Sequence, residues 1–330
     1  MNHIKIGVIG AGRMGQHHCR VYSSLRHVNF VGIYDKNLKT SKEVANRYNV
    51  QAFNQIEELI ERVDAVSIAT PTPTHFDIAM QCLERGLHVL LEKPITETEE
   101  QAERLIKNVQ ASCKVFQVGH IERFNPTYTE LITVLEDFQV QAINFRRLSP
   151  YQGSNIDVDV VMDLMVHDID LALNLIKREP ASISAYGLAP VSGSLDYVVA
   201  DLWYPESPLV TLTASRITEQ KIRSIDVTAR EAYLDVDLLN KGIFIHRRSL
   251  GEYTGLSHGA VKYRQESVIE RILVPNIEPL LLEIQHFLDC IRQDCTPCVS
   301  AVDGYKALHF VNSIRCLANQ HLKQSIEEFN

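Results

Sequence analysis

The sequence predicts an α/β protein of two domains: a doubly wound parallel sheet, then a second α/β domain built on a large, mainly antiparallel open sheet. Three observations carry this. Gly10, Gly12 and Gly15 form a G-x-G-x-x-G turn directly after a short apolar strand. Strands and helices alternate from there to His120, the order that builds parallel sheets. From Ile183 the chain changes to alternating apolar and polar segments with few helices between them, which implies antiparallel pairing. At 330 residues the chain is comfortable for two domains. The change of rhythm divides it into 1–122 and 123–330.

Taken in order, Ile4 to Ile9 form the first strand and the glycines turn it into a helix. In a dinucleotide site the first glycine permits the tight turn, the second lets the backbone approach a pyrophosphate, and the third lets helix and strand pack closely. The anion then sits over free amides at the helix start, so Arg13 and Met14 count among the expected cofactor contacts. The strand "NFVGIYD" ends in Asp35, about 20 residues past the glycines, where a ribose-binding acid is expected. A carboxylate there repels a 2′-phosphate. This favours NAD over NADP, with Lys36 next to it softening the preference.

"VDAVSIATP" is a strand, "THFDIAMQCLERG" a helix, "LHVLLEKP" a strand, "TETEEQAERLIKNVQAS" a helix and "KVFQVGH" a strand. Ligands bind beyond the carboxyl ends of such strands. Two polar strand ends therefore join the cofactor-binding set: Thr70, Pro71 and His75, then Glu92 and Lys93. "IERFNPTYTELITVLEDF" reads as a crossover and helix, and "VQAINFRRLSP" as a strand. Five β segments follow between Ile183 and Arg247, and two amphipathic helices close the chain. One face of the open sheet is left for water or a second copy, so a homodimer or homotetramer is expected.

Composition excludes several classes. The formal net charge is −8 with no basic block, so neither nucleic acid nor an anionic membrane is expected as partner. No apolar run approaches the ~20 residues of a spanning helix, and the first residues lack the pattern of a secretory signal. Seven scattered cysteines fit a reducing cytoplasm. Cys290, Cys295 and Cys298 cluster, but no fourth ligand stands at finger-like spacing. No metal is expected.

"VVMDLMVHDIDLALNL" is the least ordinary stretch. Asp163, His167, Asp170 and Asn174 interrupt an apolar run at steps of four, three and four, which places them on one line of an α-helix. From the residues alone, this is either the wet face of a helix or one wall of a site. His17 and His18 are read as ordinary members of the first helix.

The glycine turn, the "EKP" at Glu92–Pro94 and the D-x-x-x-H-D-x-D of residues 163–170 together resemble the glucose–fructose oxidoreductase/inositol dehydrogenase family, Gfo/Idh/MocA. The resemblance runs nearly end to end and includes "PCVSAVDGYKALHFVNSI". It implies a Rossmann domain followed by an α/β substrate and assembly domain, a nicotinamide cofactor, and oxidation of a sugar or cyclitol hydroxyl. By position, Lys93 is similar to the family's active-site lysine, and Asp163 and His167 to its aspartate–histidine pair. The polar line is then expected to face the cofactor crevice. His167 suits a general base, Lys93 suits a donor to the developing alkoxide, and Asp163 or Asp170 suits an orienting group.

"VGHIERFNP" and "DVDVVMDLMVHDID" are most similar to the nucleotide-sugar branch, whose members oxidise UDP-N-acetylglucosamine at C3. Arg123, Arg146 and Arg147 are candidate diphosphate partners, and Tyr151 is a candidate to stack on a base or cap the sugar. An inositol or free-aldose dehydrogenase and a non-catalytic dinucleotide-binding regulator are the alternatives. Met165 stands where many family members have glycine, and "NIDVDVV" lacks their Gly-Gly pair, which implies a bulkier pocket wall.

Overall fold

In the computed structural model, residues 3–151, 158–206, 208–247, 251–255, 261–265 and 268–328 are described. Their contacts divide the chain into two units, Met1–Phe124 with Ile277–Phe310, and Asn125–Asn276 with Val311–Asn330.

In the first unit the order is β1 (Ile4–Ile9), α1 (Arg13–Ser24), β2 (Val28–Tyr34), α2 (Leu38–Tyr48), β3 (Gln51–Phe53), α3 (Ile56–Ile60), β4 (Ala65–Ile68), α4 (His75–Glu84), β5 (His88–Glu92), α5 (Glu99–Ser112) and β6 (Phe116–Gly119). The strands form one parallel sheet in the order β3-β2-β1-β4-β5-β6. All four residues of β4 are buried, as expected of a strand covered on both faces. The order reverses between β1 and β4, which makes their carboxyl ends the switch point where ligands bind in such sheets. Helix starts are fixed locally. Asn37 accepts from the amides of Lys39 and Thr40 to cap α2, and Thr98 with Gln101 makes a capping box for α5. The sequence pattern does not single out α2, β3 and α3. They are short or strongly polar, and their apolar signal is weak.

In the second unit come α6 (Pro126–Leu135), β7 (Val140–Leu148), a π-helical turn at Val161–Met165, α7 (Val166–Ile176), β8 (Ser182–Leu188), β9 (Tyr197–Trp203), β10 (Leu209–Ser215), β11 (Ile222–Ala229), β12 (Ala232–Asp237), β13 (Gly242–Arg247), β14 (Gly251–Gly255), β15 (Val261–Gln265) and β16 (Ile269–Leu273). Eight of the strands form the sheet β16-β13-β12-β11-β7-β10-β9-β8, while β14 and β15 pair with each other. Every pair in the large sheet is antiparallel except β7 with β10. One face is closed by apolar side chains such as Phe145, Val198, Leu212, Val227 and Leu234. The opposite face leaves Tyr186 57%, Trp203 51%, Ile269 56% and Leu273 85% exposed.

The last two helices, α8 (Pro279–Gln293) and α9 (Ala301–Glu328), complete the chain. Leu280, Ile284, Phe287 and Leu288 of α8 join the apolar cluster formed by Ile6, Val8, Val21 and Ile33. The C-terminal part of the sequence thus returns to the first unit, a feature that a single division after residue 122 does not contain. The apolar face of α8 says that it packs, but not against which sheet.

Candidate functional site

In the first unit the glycine turn is built as its spacing requires. Gly10 has φ +103, and a Cβ there would lie 2.4 Å from the carbonyl oxygen of Ala69. A Cβ on Gly15 would lie 1.9 Å from the oxygen of Gly10. Gly12, by contrast, faces open space, with nothing within 4 Å of its Cβ position. It is also the N-cap of α1, and no side chain caps that helix. Amides at a helix start, with room above the glycine, fit a pyrophosphate. Asp35 follows β2, and its two carboxylate oxygens accept from the amides of Ala11, at 2.6 Å, and Asn37, at 2.8 Å. The acid is thereby tied to the glycine turn. This donor set suits a dinucleotide.

Beyond β4 and β5 the two polar strand ends are tied together. The ring nitrogens of His75 lie 2.8 Å from the carbonyl oxygens of Pro94 and Thr70. His75 is 1% exposed, and burial pushes its imidazole below the ordinary value against the pull of both carbonyls. It braces the two loops from beneath. The Lys93–Pro94 peptide is cis. Lys93 is half-buried and Glu92 buried.

In the second unit the line Asp163, His167, Asp170 and Asn174 is not a uniform stripe. Asp159 starts the helix, accepting from the amides of Val161 and Met162 and bonding Arg315. Asp163 lies within the π turn, whose extra residue widens the helix. Asp163 and His167 are half-buried, whereas Asp170 is 1% exposed. Asn174 donates to the hydroxyl of Tyr128 at 2.8 Å, and that hydroxyl donates to the carbonyl of Leu171. The first two residues of the line stand where a ligand could be met, and the last supports the fold of its own unit.

The candidate arginines are held apart. Arg147 is 1% exposed and grips Asp168 of α7 through Nε and Nη2, at 2.7 to 3.1 Å. Arg146, its neighbour on β7, pairs across with Thr213 and Ser224. It therefore points to the open face, away from α7. Adjacent residues of a strand face opposite ways, so "RR" on β7 cannot supply two groups to one ligand. Arg123 is also engaged: it donates to the carbonyl of Cys298 at 3.2 Å and lies 3.4 Å from Asp303. Tyr151, just past β7, is 39% exposed.

Two residues escaped the sequence reading. His18 is not an ordinary helix residue: it is 1% exposed and lies 3.0 Å from Glu92 and 3.1 Å from Ser67. Glu283 of α8 is fully buried. His18, Glu92 and Glu283 offer ligand-type atoms that all lie within 4.8 Å of one another. The signal for Glu283 was present, since a glutamate falls on the apolar face of α8 with Leu280, Ile284 and Phe287. The cysteine cluster gains a neighbour too. His286 Nε2 lies 3.4 Å from Cys290 Sγ and accepts from the Cys298 amide.

Comparisons with known proteins agree with this geometry. Residues 4–120 match the profile described as "Oxidoreductase family, NAD-binding Rossmann fold", and residues 143–234 match the "GFO/IDH/MocA C-terminal domain". The UDP-N-acetylglucosamine 3-dehydrogenase of Acidithiobacillus ferrooxidans is 32% identical over 98% of this chain and all of its own. A solved structure of that enzyme has a TM-score of 0.88, covering 98% of this chain and 99% of the other. The scyllo-inositol 2-dehydrogenase (NAD(+)) of Bacillus subtilis is 25% identical over 91% of this chain and 90% of its own.

Proposed function

This chain belongs to the Gfo/Idh/MocA oxidoreductase family, and we propose that within it the protein oxidises a secondary hydroxyl of a nucleotide sugar, UDP-N-acetylglucosamine at C3, to the keto sugar. The observation that carries the substrate is the end-to-end likeness to an enzyme of that activity. The first unit is a Rossmann domain that takes NAD. The α1 amides and the open side of Gly12 would hold the pyrophosphate, and Asp35 the adenosine ribose, with NAD preferred over NADP.

When bound, NAD supplies the hydride acceptor. The chain's own groups must manage the hydroxyl proton. His167, half-buried at the start of α7, is the proposed base, because an imidazole titrates near working pH. Lys93 is the proposed donor to the oxygen as negative charge develops on it. Asp163, four residues before His167, is proposed to orient the base or hold a neighbouring hydroxyl. Of the expected substrate partners, Tyr151 is retained; Arg123, Arg146 and Arg147 are engaged or aimed elsewhere, and their proposed diphosphate role is given up.

The second reading is an inositol dehydrogenase, favoured by the likeness to the scyllo-inositol enzyme. Side-by-side assay of UDP-N-acetylglucosamine and scyllo-inositol with NAD decides between them. Turnover of the cyclitol alone would reverse the assignment. We also propose self-association through the exposed sheet face bearing Tyr186, Trp203 and Leu273. Sedimentation equilibrium at micromolar concentration should find a dimer or tetramer, and a monomer there would remove the idea. Among the described residues no helix is long and apolar enough to cross a membrane.

A further inference from the structure

Behind Glu92 a line of buried side chains runs from α1 through β4 to β5. Tyr22 Oη lies 2.7 Å from Ser67 Oγ, Ser67 Oγ lies 3.1 Å from His18 Nδ1, and His18 Nε2 lies 3.0 Å from Glu92 Oε1. Tyr22, Ser67 and His18 are each 1% exposed or less. One assignment of hydrogens satisfies every contact in the same direction. Tyr22 donates to Ser67, Ser67 donates to Nδ1, and Nε2–H donates to the Glu92 carboxylate. Such a chain polarises along its length and ends on a charge. Lys93 follows at the end of β5, and its charge acts on the Glu92 carboxylate.

We propose that Tyr22, Ser67 and His18 are positioning residues for Lys93: they fix Glu92 as a carboxylate beside the lysine and so set how firmly the ammonium holds its proton. This rests on Lys93 as the donor in the proposed dehydrogenase reaction.

The other groups facing the cluster fit. Glu283, from α8, is buried with neither carboxyl oxygen hydrogen-bonded. Burial, then the charge of Glu92, pushes it well above the ordinary carboxylate range. Burial pushes Glu92 the same way, but the hydrogen bond from His18 and the charge of Lys93 oppose it, and its net shift is downward. Two carboxyls this close do not both ionise. Glu283 keeps the proton and Glu92 the charge. Cys19 of α1 is pushed up to about 12 by burial and adds no charge. Gly119 of β6 leaves room for Glu92: a Cβ there would lie 3.3 Å from Oε2.

The test reads Lys93 directly. The rate of its acetylation by acetic anhydride is followed by peptide mass spectrometry at a fixed pH in the apo protein, since only the neutral amine reacts. Glu92→Gln should raise that rate about tenfold, the equivalent of roughly one pH unit. His18→Leu should raise it in the same direction, and Tyr22→Phe by less. Glu283→Gln should leave it unchanged, because that group is already neutral. Turnover of UDP-N-acetylglucosamine should fall roughly tenfold in His18→Leu, while the NADH affinity read by fluorescence stays as in the wild type. Tyr22→Phe keeps the test open if His18→Leu does not fold. Equal acetylation rates in the wild type, Glu92→Gln and Tyr22→Phe would overturn the proposal. So would one equivalent of divalent metal in the purified protein that is lost in His18→Leu, since an ion would then tie the cluster. If the acetylation pattern holds but the wild type turns over no sugar, the dehydrogenase reading fails and the positioning of Lys93 stands. If turnover holds and the pattern fails, only the positioning falls.

Discussion

Arg147 and Asp168 in the second unit face the same low-dielectric surroundings as His18, Glu92 and Glu283 in the first, and the two clusters meet it differently. The pair is bidentate, with opposite charges and short contacts on both carboxylate oxygens. Its charge is neutralised on the spot. The trio has two acids and one imidazole, and it reaches a stable state only by keeping one acid protonated. The pair can do little but clamp α7 to β7. The trio keeps its proton on Glu283 and its charge on Glu92, and Glu92 precedes a residue proposed for chemistry. Buried charge that is fully matched reads as architecture, and buried charge that is left over reads as function.

The largest effect should come from the pair. Arg147→Met leaves the Asp168 carboxylate buried alone and should cost about 3 to 5 kcal/mol, read as a lower midpoint of urea unfolding. Arg147→Met with Asp168→Leu should recover most of it, because no charge is then buried. A double variant as unstable as the single one would mean that the pair supplies more than neutralisation.

A half-exposed carboxylate extends the comparison. Asp35 is tied by two amides yet stays open to a ligand. Asp35→Ser should shift the NAD to NADP preference about 10- to 100-fold toward NADP, the scale of hydrogen bonds to a charged group. Wild type that already prefers NADP would refute the role assigned to Asp35.

For the trio, the sign follows from the raised Glu283. The folded protein keeps a proton that the unfolded chain releases once pH passes the ordinary carboxyl value. Wild-type stability should therefore fall as pH rises from there toward the raised value, with a slope of up to about 1.4 kcal/mol per pH unit. Glu283→Gln should lack that slope and gain on the wild type as pH rises. Parallel unfolding profiles would show that Glu283 is ionised in the folded state.

The smallest effect belongs to Arg146. On the open face of β7 it should tolerate alanine within about 0.5 kcal/mol, with KM for the sugar unchanged. A raised KM would return it to the substrate site.

Arg146 and Arg147 also show what the sequence could carry. Period-two alternation said that they face opposite ways, but not which one faces the helix, because that depends on the partner strands β10 and β11 and on Asp168, 21 residues away. The glycine turn, Asp35 and the strand ends were legible because backbone rules fix them locally. The parallel and antiparallel character of the two sheets was legible from the connections. The parallel pairing of β7 with β10 inside the antiparallel sheet was not, since no local pattern encodes it. His18 was missed for the same reason, whereas Glu283 stood out as a glutamate on the apolar face of α8 and only its partners were hidden. Their surroundings come from β4, β5 and α8, far along the chain. The line Asp163, His167, Asp170, Asn174 was seen, but its spacing assumed a regular helix. The π turn and the contact of Asn174 with Tyr128 divide it into parts with different surroundings.

The central claim is that this family member is a working NAD-dependent dehydrogenase whose proton chemistry rests on His167 and Lys93. The most direct measurement is NADH formation from NAD and UDP-N-acetylglucosamine by the wild type, His167→Ala, Lys93→Ala and the double variant, with circular dichroism confirming the fold of each. Each single variant should lose about 100- to 10,000-fold in kcat while still binding NADH, and the double variant should be little worse, as expected of two groups proposed for one proton transfer. Near-wild-type turnover in folded His167→Ala would contradict the account.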